Sequence, residues 1–261
     1  MFRSILFIPC ANPKAMAKAA TLVCDALIFD LEDAVGDAER DGALMRLAET
    51  LSGGFVAKTV LVRIHPQYLG GIQKALAGLR IDGLVVPKVN TVADITGVAH
   101  VWPGVALWAM IETAQGLVNL AEIAASGVKG LIAGPNDLRK DLRTRPMEGR
   151  ADILFALSQI VLYARSNGLA VLDGVYNQYT DEPGFAVECE QGRSLGFDGK
   201  TLIHPAQIAA CEAAFSPSEA EIEWAQAVVA AFEDSHSGVI SVNGGMVERL
   251  HLDQAKAILG K

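Results

Sequence analysis

The sequence predicts an α/β protein: a closed (β/α)8 barrel followed by a C-terminal helical extension. Three observations carry this expectation. Short, continuous apolar runs rich in Val, Ile and Leu recur along the chain with amphipathic stretches between them. Unbroken runs of this kind fit parallel strands covered on their outer face by helices. The alternation makes eight units, whereas an open doubly wound sheet commonly has about five or six strands. No Gly-rich dinucleotide fingerprint follows any run, which weakens the open-sheet alternative further. A length of 261 residues suits one such barrel as a single domain.

Taken in order, the expected strands are Arg3–Pro9, Ala26–Leu31, Thr59–Ile64, Gly83–Val89, Ala106–Glu112, Gly130–Gly134, Ala170–Val175 and Gly199–His204. The first has the look of a short signal core. It is too short and lacks a basic flank beyond Arg3, so it reads as a strand. Helices are expected between the strands, for example over Ala15–Val23, Gly116–Ala125 and Ile153–Asn167, the last stopped by Asn167-Gly168. Residues 1–215 form the barrel. Residues 216–261 follow as part of the same domain: a helix over Ser218–Asp234 with acids in its first turns, a polar link Ser235-His236-Ser237-Gly238, the segment Val239–Arg249, and a last helix from about Leu252. A barrel does not need this appendage, which could lid its own mouth or reach that of a neighbouring subunit.

Composition excludes several classes. Hydrophobic residues at 51% with 20% charged imply a large core and rule against disorder. A net charge of −8 without a basic run argues against nucleic acid, so an anionic ligand must be held by a few placed cations. No apolar stretch is long enough to span a bilayer. Cys10, Cys24, Cys189 and Cys211 are scattered without metal-ligand spacing, which fits buried reduced thiols in a cytoplasmic protein.

In such barrels the chemistry sits at the C-terminal ends of the strands. Those ends carry Asp30-Leu31-Glu32-Asp33, Arg63-Ile64-His65-Pro66, Lys88, Glu112, Asn136-Asp137, Asp173 and His204-Pro205. Glu112 and Asp137 close neighbouring strands, whose ends lie roughly 5 Å apart. Two close carboxylates repel unless protonated or bridged by a cation, so the pair suggests a divalent metal site. The alternative makes them a helix cap and a first-turn acid on separate turns. Arg63 follows three apolar residues and suits a pocket role, while also neutralising Asp30 or Glu32. Lys88 could be a Schiff-base nucleophile, but the acid-rich rim works against the depressed pKa this needs. His65 and His204 precede prolines and read as loop-pinning residues. Asp173 reads equally as a supporting acid or a metal ligand.

The ordered set Arg3-Ser4-x-Leu6-Phe7-x-Pro9, Asp30-Leu31-Glu32-Asp33-Ala34-Val35, Val62-Arg63-Ile64, Pro87-Lys88, Glu112-Thr113, Asp137-Leu138, Gly196-Phe197-Asp198-Gly199-Lys200 and Ile203-His204-Pro205-x-Gln207-Ile208 resembles the citrate lyase β-subunit-like (CitE-like) branch of the HpcH/HpaI aldolase superfamily. The resemblance covers nearly the whole chain. It implies a TIM barrel, homotrimeric or homohexameric, with Mg²⁺ (or Mn²⁺ in its place) at the strand ends. The implied activity is that of a carbon–carbon lyase acting on 3-hydroxyacyl thioesters of malyl-CoA, citramalyl-CoA or citryl type through an enolate. By motif match, Glu112 and Asp137 hold the metal and Arg63 contacts substrate oxygens. Glu32 and Asp33 support the metal and its waters, and Arg3 and Lys88 are further substrate-binding candidates.

Two departures stand out against the relatives. Asn243-Gly244-Gly245-Met246 occupies the place of an Asp-Gly-Lys-Met motif whose aspartate serves the neighbouring subunit's site, and asparagine cannot relay a proton. The stretch Asp33-Ala34-Val35-Gly36-Asp37, followed by Arg40, lacks a lysine, which puts CoA phosphate binding in doubt. A class II pyruvate aldolase acting on free hydroxy-keto acids and a non-catalytic barrel binding a metal and a keto acid therefore stand as alternatives.

Overall fold

Strands β1 (Ser4–Pro9), β2 (Ala26–Asp30), β3 (Thr59–Arg63), β4 (Gly83–Val86), β5 (Leu107–Ile111), β6 (Gly130–Ala133), β7 (Ala170–Asp173) and β8 (Gly199–Leu202) pair in parallel and in sequence order, with β8 returning to β1 to close the barrel. The computed structural model describes residues 2–54, 58–233, 235 and 238–260. Each of the eight expected runs is a strand and ends within three residues of its expected limit. In the connections lie helices α1 (Pro13–Lys18), α2 (Arg40–Ser52), α3 (Leu69–Ala75), α4 (Val92–Val101), α5 (Ala114–Val118), α6 (Leu120–Ala124), α7 (Pro135–Leu142), α8 (Leu154–Ser166), α9 (Glu182–Leu195) and α10 (Ile208–Phe215). The expected Ala15–Val23 helix starts earlier, at Pro13, because Asn12 caps it by accepting from the N–H groups of Lys14 and Ala15. The expected Gly116–Ala125 helix is two short ones meeting at Asn119.

Side chains alternate between two buried layers with the period of two that a strand imposes. Ile5, Ile28, Leu61, Val85, Trp108, Met110, Ile132 and Leu172 fill the barrel interior. Leu6, Leu27, Phe29, Val62, Val86, Leu131 and Val171 pack outward as part of the core under the helices. Trp108 needs room, and Gly130 opposite it supplies it: a Cβ there would meet the indole at 2.4 Å. The same alternation turns Asp173 outward. It lies fully buried, bonded to Arg150 at 2.8 Å and to Lys200 at 2.9 Å, while Lys200 also bonds Glu188 at 2.8 Å. Burial opposes its charge, yet Lys200 and Arg150 hold its carboxyl below the usual range. Asp173 is therefore neither a ligand nor a support of a rim site, because one residue of phase puts it on the other face of the wall.

The four cysteines are buried and free. No helix among the described residues is long and apolar enough to cross a membrane.

The chain divides into two compact units, residues 1–215 and 216–261. The second is α11 (Glu219–Glu233), an antiparallel hairpin of β9 (Val239–Val242) and β10 (Gly245–Glu248), and α12 (Arg249–Ile258), packed on Ala225, Val228, Phe232, Val247 and Ala255. The extension is thus not helical throughout, and its last helix begins three residues before the expected Leu252. Asn243 and Gly244 form the two-residue turn with φ of +51° and +80°, the type I′ pattern that Asn-Gly favours in hairpins. Asp234, His236 and Ser237 of the expected helix end and link lie outside the described residues.

Candidate active site

The inward phase carries a set of charged groups up to the C-terminal rim. Asp30 and Arg63 are register partners at the ends of β2 and β3, and Glu112 follows β5. Arg63 is buried and donates to both oxygens of Asp30, from Nε at 2.7 Å and from Nη2 at 2.6 Å. Its Nη1 makes longer contacts, to Glu32 at 3.3 Å, Asp33 at 3.4 Å and the Met110 sulfur at 3.9 Å. The Phe7 ring lies 4.9 Å from its guanidinium carbon. Burial works against the cation, but Asp30, Glu32 and Asp33 more than offset it and raise its pKa. The expectation that Arg63 serves both pocket and partner acids agrees with this geometry.

Glu112 is 2% exposed and accepts the backbone N–H of Lys88 at 2.7 Å. Burial pushes its carboxyl up to about 7, and the neighbouring Asp137 charge adds to the shift. Gly134 permits this placement, since a Cβ there would meet Glu112 Oε2 at 2.3 Å. Asp137 stands in the first turn of α7, which opens with Pro135, a residue pre-set for a helix start. Asn136 fastens that turn to the loop after β7 by exchanging amide hydrogen bonds with Asn177 at 2.7 and 3.2 Å.

Lys88 adopts φ +50°, and its ammonium donates to Glu32 and to Asp33 (3.0 Å) and lies 3.7 Å from Asp137. These acids raise its pKa against the cost of burial, the opposite of what a Schiff-base nucleophile requires. Burial raises the Glu32 carboxyl, whereas bonds to Lys88 and the charge of Arg63 keep Asp33 below its usual value.

A cavity of about 370 Å³ opens over this set and is lined by Asp30, Asp33, Arg63, Glu112, Asp137 and, from the far wall, Asn177 and Thr201. Of the seven residues that the resemblance assigns, all but Arg3 therefore gather at one rim, Glu32 and Lys88 lining a separate cavity and not this one. Arg3 does not belong with them. It precedes β1, at the opposite end of the barrel, and its guanidinium is paired with Asp25 at 3.1 Å. Some 20 Å of strand separate it from Pro9 at the rim. Lys88 is engaged by acids and does not line the cavity. His204 caps the turn after β8 by accepting from Ala206 N–H, and stacks on Tyr179 at 4.6 Å. His65 packs against Tyr68. Sequence reasoning passed over Gly134, Thr201 and Asn177. For Gly134 the period-two phase counted from Ile132 was the available signal, whereas Thr201 is placed only by its register with the inward Ile5.

The donor set fits a hard divalent ion. Glu112 and Asp137 offer only oxygen, and their mutual repulsion is the kind a cation relieves. Among the described residues no three His, Cys, Asp or Glu side chains form a ligating group. An ion held here would have two protein carboxylates and would need water and substrate for the rest of its shell, which suits Mg²⁺ and not zinc of the structural kind.

The match to known proteins decides the family. Residues 3–205 match the model of the HpcH/HpaI aldolase/citrate lyase family. The chain belongs to that family. Residues 151–261 also match a model for C–C bond lyases of the TIM-barrel fold. Within this lyase family the chain is 44% identical to a (3S)-malyl-CoA thioesterase of Cereibacter sphaeroides, over 100% of this chain and 94% of the relative. It is 34% identical to a citrate lyase subunit beta of Leuconostoc mesenteroides, over 98% and 92%. A CitE protein of Mycobacterium tuberculosis, solved in complex with magnesium, acetoacetate and coenzyme A, shares 31% identity and a TM-score of 0.85, covering 99% of this chain and 97% of that one.

Proposed function

We propose that this member of the HpcH/HpaI family is a Mg²⁺-dependent carbon–carbon lyase that cleaves or forms a 3-hydroxy-dicarboxylyl thioester, of malyl- or citramalyl-CoA type. The observation that carries the reading is the Glu112–Asp137 pair facing Arg63 across one cavity. The names of the relatives, with magnesium and coenzyme A bound to the CitE structure, support it.

In the cleavage direction the 3-hydroxyl gives up its proton and the C2–C3 bond breaks. Its electron pair passes into the thioester enolate, which is then protonated at C2. Glu112 and Asp137 would hold Mg²⁺, which when bound would supply Lewis-acid polarisation of the carbonyl that forms. Arg63, which lines the cavity and whose Nη1 has the longer internal contacts, is assigned the stabilisation of the developing oxyanion. Asp33, which lines the cavity, is assigned the hydroxyl proton, and Glu32 behind it accepts the Asp33 backbone N–H and supports its position.

A second reading is hydrolysis of the thioester itself. The 44% identity to a (3S)-malyl-CoA thioesterase favours it. The two readings give different products from malyl-CoA. Glyoxylate with acetyl-CoA marks the lyase, whereas malate with free CoA marks the thioesterase. Glu112→Ala and Asp137→Ala are each expected to lose Mg²⁺ binding and to lower turnover by about 10²–10³. Undiminished turnover in metal-free buffer refutes the metal-dependent reading. Binding of keto acid without any cleavage leaves the binding barrel.

We assign the extension to the same domain as the barrel, supported by the C–C bond lyase match that runs across both. We also assign the protein to the cytoplasm, supported by its buried free thiols, and to a homotrimer or homohexamer. The exposed apolar face of α8, with Phe155 76% and Leu162 63% exposed, supports self-association.

A further inference from the structure

Lys88 is held in a conformation that a long side chain rarely adopts. Its φ of +50° is matched among the described non-glycine residues only by Arg143, Arg150 and Asn243. Such outliers persist where surrounding contacts over-determine them. Here the backbone N–H must reach Glu112 Oε1 at 2.7 Å while the side chain folds back over the rim to Glu32, Asp33 and Asp137. One residue thus touches four acids, two of them the ion ligands assigned above. Arg63, the other cation in contact with this group, is already committed to Asp30.

We propose that Lys88 is a built-in counter-cation that sets the divalent-ion affinity of the site. Its ammonium holds Glu32 and Asp33 in place and, standing beside Asp137, repels an ion bound there. The ion is then held loosely enough to exchange with substrate and product. Lys88 acts through the acids and is a positioning residue. The inference rests on the metal reading above and adds to it what limits the strength of binding.

The consequence runs against the usual result of removing a site residue. A positive charge within about 4 Å of a ligand carboxylate opposes a doubly charged ion. Solvent reaches the Lys88 side chain, which is 40% exposed, so screening keeps the effect near tenfold. Titration calorimetry with MgCl₂ on the full chain at low ionic strength is the test. Lys88→Met and Lys88→Gly are expected to bind Mg²⁺ about tenfold more tightly than the unaltered protein, with the gap narrowing as salt rises. Glycine suits the positive φ, so it preserves the fold if methionine does not. Lys88→Arg retains the charge and is expected to restore the original affinity, together with turnover lost in the other two. Equal or weaker Mg²⁺ binding by folded Lys88→Met and Lys88→Gly overturns the counter-cation role alone. Absence of Mg²⁺ binding by the unaltered chain overturns the metal reading and this inference with it.

Discussion

Replacing Arg63 with methionine keeps most of the side-chain length and removes the guanidinium. Asp30, only 3% exposed, then loses two charge-assisted bonds of 2.7 and 2.6 Å, and Glu32 loses its 3.3 Å contact. Breaking one side of a buried ion pair costs roughly 3–5 kcal/mol, because the remaining charge is stranded. The Asp33 contact adds little, since that carboxylate is half exposed. Asp30 also keeps the N–H groups of Glu32 and Ala34 at 3.0 and 3.3 Å, which favours the lower end of the range. A loss of about 3 kcal/mol is therefore expected. Urea denaturation at an unchanged m-value reads it directly. Asp30→Asn in the Arg63→Met background removes the stranded charge, so the double variant should be more stable than the two single losses add up to. A loss under about 1 kcal/mol, or strict additivity, refutes the view of Asp30–Arg63 as a buried ionic lock.

Three other perturbations probe the same architecture. Gly134→Ala places a methyl 2.3 Å from Glu112 Oε2 and 2.5 Å from its Cβ, so the carboxylate must move. Mg²⁺ affinity by calorimetry is expected to fall at least tenfold while far-ultraviolet circular dichroism stays unchanged. Glu112, at about 7 in the fold against 4.5 for the unperturbed group, binds its proton more tightly when folded. Its contribution is therefore fully present below about pH 4.5 and is lost as pH rises through about 7, on the order of 3 kcal/mol in metal-free buffer. The stability difference between the unaltered protein and Glu112→Gln should shift by that amount across this window, and a flat difference contradicts the shift. Lys200→Met leaves Arg150 as the cation shared by Asp173 at 2.8 Å and Glu188 at 3.8 Å inside the wall. A cost of about 3 kcal/mol or more is expected in thermal unfolding.

Much of the molecule could be read from the chain. Eight continuous apolar runs define eight strands because a strand covered on both faces has no polar side to display. The groups at their ends, from Asp30 to Asp137, gather for the simple reason that parallel strands all point the same way. Asn243-Gly244 was legible as a hairpin turn in principle, yet a two-stranded ribbon between helices gives too short a signal to stand out.

Local pattern along the chain was enough for the barrel, its number of strands and the chemical character of its rim. Tertiary structure alone decided which charged groups share that rim and which only lie near it in the listing of residues. Arg3 carries the same charge as Arg63 but sits at the other end of a strand, bonded to Asp25. Asp173 ends a strand as Asp30 does and its phase turns it toward the helices, but only the fold brings Lys200 and Arg150 to it as buried partners. Lys88 meets Glu32 across 56 positions of chain only because the barrel brings the ends of β2 and β4, with β3 between them, to one rim. Residue type and strand phase are local properties that a chain carries openly. The distance between groups far apart in sequence is fixed by pairing and closure, and it is this distance that decides whether a charge becomes a ligand, a lock or a counter-ion.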